Sequence, residues 1–388
     1  MKVMHVLHYV PNFHNPRGGR EIFVLGLISH LREFGINQSI LTNSYNNKTD
    51  EVSQFENDIT VYSFPVKKFG AYQVSSKFFD TLRNNTYNVI NIHGYGEYAG
   101  DVVCMLKKLG LLNVPLVLTT HGIVGLKNGC LALDFSSSFS STQRIIRSLH
   151  LFYDFTFGKL QMATFDRIIL HSEEEKKYLS RVGLKETKVL KIPIAINEIF
   201  FKDCPSHERN YVLYVGRIAP YKGLDTLVRS IKELRSCGKD LRCIIIGQDF
   251  GYRSHLESII SKLEIKDLIQ IKEFEIQENL LRIYGSAIVT VLPSTSEGFP
   301  LTLVESMACG TPFIATPVGV IPELVQLSKA GLLVQIGDTK NLAQTINNLL
   351  INKAHWSEMS RNGKQFAKNF TWEDIAKKYY AAYLELTE

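Results

Sequence analysis

The sequence has no C-x-x-C pair and no long apolar run, and both absences exclude classes of protein to which the chain could belong. Its cysteines are scattered as Cys104, Cys130, Cys204, Cys237, Cys243 and Cys309. This spacing matches neither a zinc site nor a redox motif, so we expect a reducing compartment. No apolar run reaches the about 18 residues that a membrane-spanning helix needs. Residues 1–10 lack a small-residue cleavage site and predict a first strand rather than a signal peptide. We therefore expect a cytoplasmic protein, either free or peripheral on the cytoplasmic face of a membrane.

A strong charge of one sign is also missing. The formal net charge is +6, and residues 1–200 hold most of it, with 22 basic and 17 acidic side chains. This excess is too dilute for a nucleic-acid groove, so we expect no nucleic-acid partner. It suits an anionic small ligand, an anionic membrane surface, or a solvated surface without a partner.

Short apolar runs alternate with helical patterns along the whole chain, which is typical of parallel sheets flanked by helices. The first series of predicted strands covers residues 3–10, 38–41, 89–93, 116–119 and 168–170, and the second covers 211–215, 243–246, 268–272, 288–292 and 313–315. A polar stretch at 202–210 separates them. The pattern predicts an α/β fold with two doubly wound, Rossmann-like domains, 1–201 and 202–370, and a terminal helix at 371–388 whose apolar stripe must pack on another element. Since such sheets bind ligands at the carboxyl ends of their strands, we expect a cleft between the two domains.

A glycine-containing loop follows the first strand of each domain. Gly18 and Gly19 lead into a helix that begins near Glu21, where backbone amides and the helix dipole favour an anion; a tight turn explains the same glycines. In the second domain, Arg217 and Lys222 share a short loop between Gly216 and Gly223. An arginine fork and a lysine point charge at this spacing could clamp a diphosphate, although two solvated surface cations would look the same.

The stretch 294–310 carries the most specific pattern. Pro300 suits the first position of a helix and Gly310 suits its end, so residues 301–308 predict a short helix. Glu297 then lies just before the helix and Glu305 in its second turn. A carboxylate at that position can accept hydrogen bonds from sugar hydroxyls, the amides of Gly298 and Phe299 can donate to other ligand oxygens, and Glu305 can accept the two hydroxyls of a ribose. The alternative for Glu297 is a carboxylate that only complements the helix dipole.

The E-x7-E spacing of Glu297 and Glu305, taken with Gly216-Arg217, Lys222-Gly223 and Gly310-Thr311-Pro312, resembles the retaining glycosyltransferases with the GT-B fold, a large family that includes bacterial and archaeal mannosyl- and glucosyltransferases. The resemblance extends from the Gly18-Gly19 loop to the helix at Trp372. It implies that the first domain binds the acceptor, that the second binds the nucleotide sugar, and that the terminal helix crosses back to the first domain.

The resemblance also implies roles for individual residues. Arg217 and Lys222 would bind the donor diphosphate, Glu305 the ribose and Glu297 the donor sugar. Gly216, Gly298, Phe299, Pro300 and Leu301 would complete the donor site, with Gly18 and Gly19 approaching the phosphates from the first domain. His121 matches the family's position beside the donor sugar, and His93 is expected on the acceptor side; each is alternatively a core histidine. The loop at 272–277 departs from the family pattern, which leaves the nucleobase open.

The implied reaction is transfer of a hexose, with retention of configuration, from a UDP- or GDP-linked sugar to a hydroxyl of a glycan, glycolipid or lipid-linked saccharide. The acceptor hydroxyl would attack from the face of the departing phosphate, which takes its proton, while Arg217 and Lys222 stabilise the developing charge. No Asp-x-Asp stands where a metal would bridge the phosphates, so we expect no metal and no cofactor besides the donor substrate.

Three alternatives stay in view. A dinucleotide dehydrogenase needs G-x-G-x-x-G, whereas the glycines at 94, 96 and 100 are spaced one residue too far. A nucleotide-sugar epimerase would not explain the E-x7-E pattern. A non-catalytic binding or scaffolding member of the same fold would be expected to lose some of Arg217, Lys222, Glu297 and Glu305.

Residues 142–160 mix three basic side chains with many aliphatic and aromatic ones. Such a segment could lie on an anionic bilayer and collect a lipid-linked acceptor. A buried helix of the first domain is the alternative.

Overall fold

The computed structural model describes residues 3–11, 13, 19–44, 51–55, 58–65, 67–69, 72–74, 78–84, 86–121, 152–203, 209–273 and 275–388. Two units are present: Met1–Ala195 together with Trp372–Glu388, and Ile196–Thr371.

The first unit is built on an eight-stranded sheet with the order β10-β9-β8-β7-β1-β2-β4-β3, and a separate hairpin pairs β5 with β6. Its strands are β1 (His5–Tyr9), β2 (Asn37–Ser44), β3 (Glu51–Phe55), β4 (Ile59–Pro65), β5 (Lys67–Phe69), β6 (Tyr72–Val74), β7 (Val89–His93), β8 (Leu116–Thr119), β9 (Arg167–Leu170) and β10 (Val189–Lys191). Its α-helices are Gly19–Leu31, Phe78–Asn84, Tyr98–Lys108, Lys159–Thr164, Glu173–Val182 and Trp372–Leu384.

The central strands of this sheet are apolar without alternation. All five residues of β7 and all four of β8 are buried, as expected for parallel strands covered by helices on both faces. The edge strand β3 is antiparallel to β4, which the sequence pattern does not predict. Helix Glu173–Val182 starts with a capping box, in which the Ser172 hydroxyl accepts from Glu175 N and the Glu175 carboxylate accepts from Ser172 N.

The terminal helix Trp372–Leu384 packs on this first unit, as predicted. The Trp372 ring fills the space beside Gly26, where an added Cβ would lie 2.0 Å from the ring. Tyr379 and Tyr383 are fully buried, and Asn91 Nδ2 donates to Tyr383 Oη at 2.7 Å. The stripe that needed a partner therefore covers the helix Gly19–Leu31 and reaches the β7 strand.

The second unit has a six-stranded sheet with the order β13-β12-β11-β14-β15-β16, in which all pairs are parallel. Its strands are β11 (Tyr211–Val215), β12 (Arg242–Ile246), β13 (Ile269–Lys272), β14 (Ala287–Leu292), β15 (Phe313–Ala315) and β16 (Gly331–Leu333). Its α-helices are Leu224–Ser236, Arg253–Lys262, Gln277–Ser286, Leu301–Ala308, Ile321–Ser328, Thr339–Ile351 and Lys353–Ala367.

The predicted α/β architecture with two Rossmann-like sheets is confirmed. The change of unit falls between Ala195 and Ile196, before the polar stretch at which the sequence predicts the boundary. Ile196 and Phe200 explain the difference, because both are buried in the core of the second unit.

Candidate active site

The first candidate loop follows β11, the strand between β12 and β14 in the second sheet. Tyr214 Oη donates to Arg217 O at 2.7 Å and so fixes the loop directly after the strand. The Arg217 side chain is exposed, and its guanidinium carbon lies 5.1 Å from the centre of the Phe250 ring. Arg217 therefore presents an oriented cation at the carboxyl end of the sheet, next to Gly216.

Lys222 ends a short 3₁₀ helix, Pro220–Lys222, in the same loop. Gly223 then adopts a left-handed conformation with φ 65°, and a Cβ there would lie 2.0 Å from Pro293 O. Thr295 N donates to Tyr221 O at 2.8 Å. The basic loop and the loop that follows β14 are thus packed backbone against backbone, which requires glycine at 223.

This packing brings Lys222 and Glu297 together. Lys222 Nζ lies 2.6 Å from Glu297 Oε1, and only 12% and 9% of the two side chains are exposed. Ser294 Oγ donates to the same carboxylate oxygen at 2.6 Å. A buried ion pair of this kind is stable only with good geometry and additional hydrogen bonds, and both are present here. The sequence predicts both residues as donor ligands but does not predict their contact.

The helix Leu301–Ala308 has the predicted bounds, and Gly310 follows its end with φ 71°. Pro300 precedes the first helical residue rather than occupying it, which corrects the predicted position by one. Gly298 and Phe299 lie between Glu297 and this helix, on the loop that the predicted donor site requires.

Glu305 lies in the second turn of that helix and accepts a hydrogen bond from Tyr284 Oη at 2.9 Å. Burial raises the pKa of Glu305 to about 7, although the hydrogen bond from Tyr284 opposes the shift. A carboxyl group that titrates near neutrality is a frequent property of functional sites.

Two functional candidates in this unit escape sequence reasoning. Tyr284, which orients Glu305, has no sequence signal because it lies on the separate helix Gln277–Ser286. Ser296 has a buried hydroxyl without a hydrogen-bond partner among the described residues; its place directly before Glu297 is the signal that could have drawn attention to it.

The candidates of the first unit lie at the carboxyl ends of β7 and β8. His121 follows β8 in a left-handed conformation, φ 52°, and is half-buried. His93 ends β7 and is fully buried, with its Nδ1 2.8 Å from His121 Nε2. The His93 ring has no exposed surface in this structure, and its assignment to the acceptor side stays a prediction.

The loop at 18–19 is only partly described. Gly19 is the first residue of the helix Gly19–Leu31, whereas Gly18 lies outside the described residues. Arg20, which the sequence reasoning missed, pairs with Glu97 at 2.7 Å and with Glu21 at 3.2 Å. Burial lowers the pKa of Arg20, but these two carboxylates more than offset it, and the net shift is upward.

The segment at 142–160 is described from residue 152 onward. Phe152 and Phe155 are 67% and 70% exposed, and Lys159 Nζ lies 4.1 Å from the centre of the Phe155 ring. The buried-helix alternative is therefore wrong for these two side chains, while residues 142–151 lie outside the described part of the chain.

Within the described ranges, no three His, Cys, Asp or Glu side chains are grouped so that they could hold a metal ion. No described helix has the length and apolar character needed to cross a membrane.

Family models match adjacent parts of the chain. The model described as Glycosyltransferase Family 4 matches residues 17–198, and the model described as Glycosyl transferases group 1 matches residues 195–366. An uncharacterized glycosyltransferase of Methanocaldococcus jannaschii is 28% identical over 400 aligned residues that cover 100% of both chains. The D-inositol 3-phosphate glycosyltransferase of Mycobacteroides abscessus is 25% identical over 395, covering 94% of this chain and 84% of that one.

Solved structures share the fold. The sucrose-phosphate synthase of Thermosynechococcus elongatus superposes with a TM-score of 0.74 at 23% identity, covering 99% of both chains. HepE of Anabaena, in complex with UDP and glucose, superposes with a TM-score of 0.72 at 18% identity, covering 98% of this chain and 100% of its own.

Proposed function

Because this chain belongs to the glycosyltransferases of the family 4 type, with the GT-B fold of two Rossmann-like domains, we propose that it moves a hexose from a UDP- or GDP-linked sugar to a hydroxyl acceptor. The acceptor is a glycan, glycolipid or lipid-linked saccharide. The single observation that carries this proposal is the buried Lys222–Glu297 pair beside the Arg217 loop. In this pair, a cation suited to a phosphate and a carboxylate suited to sugar hydroxyls lie within one hydrogen bond of each other.

The donor site divides into three parts. Arg217 and Lys222 hold the diphosphate, and Gly216 lets the backbone approach it. Glu305, oriented by Tyr284, accepts the ribose hydroxyls. Glu297 and the loop through Gly298, Phe299, Pro300 and Leu301 hold the sugar. In the first unit, we assign Gly18 and Gly19 to the donor phosphates and His121 to the donor sugar. The structure of HepE with UDP and glucose, on the same fold, supports a donor of this class.

The transfer proceeds with retention. The anomeric carbon breaks its bond to the phosphate oxygen and forms a bond to the acceptor oxygen on the same face, and the acceptor proton passes to the departing phosphate. Arg217 and Lys222 stabilise the charge that grows on that phosphate, so the chemistry needs neither a protein nucleophile nor a metal.

A donor panel tests this proposal. The purified protein is incubated with UDP- and GDP-sugars, and released nucleotide is measured with and without EDTA. We expect release from one donor, unchanged by EDTA, and NMR of the product should show the anomeric configuration of the donor. Inversion would overturn the front-face mechanism. Binding without any release, with or without acceptor sugars, would instead indicate a scaffolding member of the family.

Peripheral contact with the cytoplasmic face of a membrane is a second proposal, which rests on the exposed Phe152 and Phe155 beside Lys159. Aromatic side chains next to a cation suit the boundary of an anionic bilayer. We expect the protein to co-sediment with phosphatidylglycerol vesicles at low salt and Phe152→Ser with Phe155→Ser to lose this binding. Equal sedimentation of both proteins would contradict it.

A further inference from the structure

Four histidines lie close together at the carboxyl ends of four neighbouring strands of the first sheet. His8 lies on β1, His93 ends β7, His121 follows β8 and His171 follows β9. His8, His93 and His171 are buried. Neighbouring rings lie 5.0 to 5.3 Å apart between centroids. The cluster reaches from the interior to the half-buried His121.

Three of these rings form a hydrogen-bonded row. His8 Nδ1 lies 3.0 Å from His93 Nε2, and His93 Nδ1 lies 2.8 Å from His121 Nε2. Burial is the main cause that lowers the pKa of all three, to about 3 for His8, so the rings are neutral at pH 7. A neutral imidazole has one donor and one acceptor nitrogen. The row therefore has two arrangements: every proton on Nε2, or every proton on Nδ1.

Gln38 distinguishes the two arrangements. Gln38 Nε2 donates to Ile28 O at 2.8 Å, which leaves Oε1 for the His8 side chain, with which Gln38 interacts. Gln38 Oε1 and His8 Nε2 are both buried, and each lacks a hydrogen-bond partner among the described residues. An amide oxygen only accepts. A proton on His8 Nε2 lets the two atoms pair, whereas a bare nitrogen would place two acceptors together at a cost.

We propose that Gln38, acting through His8 and His93, holds His121 in the tautomer protonated on Nε2, so that His121 Nδ1 is presented as a hydrogen-bond acceptor for a hydroxyl of the donor sugar. The sugar ligand of His121 rests on the proposed function, whereas the tautomer of His121 does not. Gln38, His8 and His93 are then positioning residues that act on His121. The left-handed backbone of His121 fits this assignment, since such a conformation persists in a non-glycine residue only where its surroundings enforce it.

His171 provides an internal control in the same cluster. Its Nδ1 lies 2.7 Å from the carbonyl oxygen of Ile192, and a carbonyl oxygen can only accept, so His171 carries its proton on Nδ1. His121 and His171 are thus expected to be opposite tautomers although their ring centroids are 5.2 Å apart.

The test is a long-range ¹H–¹⁵N correlation spectrum of the full chain labelled with ¹⁵N-histidine, with signals assigned by single histidine substitutions. In the unaltered protein we expect His121 with its proton on Nε2 and His171 with its proton on Nδ1. Gln38→Met removes the terminal acceptor, so His121 should move partly or wholly to the Nδ1 form while His171 stays unchanged. His93→Phe, which cuts the row beside His121, should do the same and serves if Gln38→Met fails to fold.

His121 protonated on Nδ1 in the unaltered protein would overturn the proposal, as would a His121 tautomer that neither variant changes. A tautomer change at His171 in both variants would also overturn it, because packing rather than the row would then set the protons. In the donor-release assay, Gln38→Met should lower kcat/KM about fivefold to tenfold through the lost hydrogen bond. If the protein shows the expected tautomers but releases no nucleotide, the proposed function is refuted and the tautomer assignment is retained.

Discussion

Lys222 and Glu297 neutralise each other in a part of the second unit from which water is largely excluded. A nucleotide sugar that entered this site would bring a diphosphate to the lysine and hydroxyl groups to the carboxylate. Both groups would then exchange one partner for another without being exposed to bulk water. In the proposed donor site, the pair would hold both charged groups in place before the ligand arrives, which would lower the cost of binding and of charge stabilisation.

Lys222→Met should therefore reduce both activity and stability. We expect kcat for donor cleavage to fall about 100-fold, because the charge on the leaving phosphate loses its cation. The free energy of unfolding should fall by about 3 kcal/mol, because Glu297 is left as an unpaired buried charge. Steady-state kinetics and urea denaturation measure the two effects.

The double variant Lys222→Met with Glu297→Gln separates these effects. It removes both charges, so most of the stability should return while activity stays low. Lys262→Ala is the control on an exposed helix position and should change neither quantity. Recovery of activity in the double variant would contradict a role for Lys222 on the phosphate.

We expect Glu305 to make donor binding dependent on pH. With a pKa of about 7, its carboxyl group is mostly neutral at pH 6 and mostly ionised at pH 8, and the ionised form accepts ribose hydroxyls more strongly. Affinity for a UDP-sugar should fall about tenfold from pH 8 to pH 6, with proton release on binding. Calorimetry in buffers of different ionisation enthalpy measures both. A UDP-sugar is preferred to UDP, whose own terminal phosphate titrates in this range.

Glu305→Gln is the matched control, since it keeps the shape and removes the titration. Its affinity should be weaker at pH 8 and flat with pH. Stability gives an independent check. Because the folded-state pKa is raised above the ordinary value of 4.5, the stabilising contribution is present below pH 4.5 and is lost as the pH rises through 7. The variant should therefore have a higher Tm than the unaltered protein at pH 8 but not at pH 4.5. If the affinity of the variant still fell from pH 8 to pH 6, the assignment of the titration to Glu305 would be contradicted.

The contact between the two loops makes Gly223→Ala the sharpest test of how the elements position Lys222. The new methyl group would meet Pro293 O at 2.0 Å, and backbone on both sides leaves no flexible side chain to yield. We expect the loops to separate, the Lys222–Glu297 pair to break, and kcat to fall more than tenfold, in line with the loss of one positioned charge.

Gly238→Ala is its matched control. Gly238 has a similar φ of 73°, but no atom lies within 4 Å of an added Cβ. This variant should lose only the about 1 kcal/mol that a left-handed alanine costs, measured by urea denaturation, and should keep its kcat. Equal loss of kcat in both variants would show that backbone strain, rather than the Pro293 contact, controls the site.

Local sequence patterns predict many of the strands and helices of this molecule, but they do not predict contacts between distant segments. The strand at 211–215 and the helix at 301–308 were predictable with their bounds, because apolar runs and a helix-ending glycine act within a few residues. The 2.6 Å contact between Lys222 and Glu297 was not, since it joins loops after different strands. His93 shows the same gap: its position at a strand end suggested a ligand, but its burial depends on His8 and His121. Glu305 could be proposed for the donor site from its spacing to Glu297, whereas its raised pKa depends on burial that only the fold defines.

The chain leaves its first unit after Ala195 and returns to it at Trp372, so the last helix stabilises strands that precede it by hundreds of residues. Tyr379→Ala with Tyr383→Ala empties two fully buried positions of the first unit and removes the hydrogen bond from Asn91. Each such truncation costs about 3–5 kcal/mol, which approaches the 5–15 kcal/mol typical of a whole domain. Hydrogen exchange should show lost protection in β1 and β7 but retained protection in β11, because Ile196–Thr371 has its own core.

Lys377→Ala with Lys378→Ala, at exposed positions of the same helix, should leave both units protected. Equal loss of protection in β7 and β11 would show that the two units unfold together, and the first unit's dependence on this helix would then be a property of the whole chain.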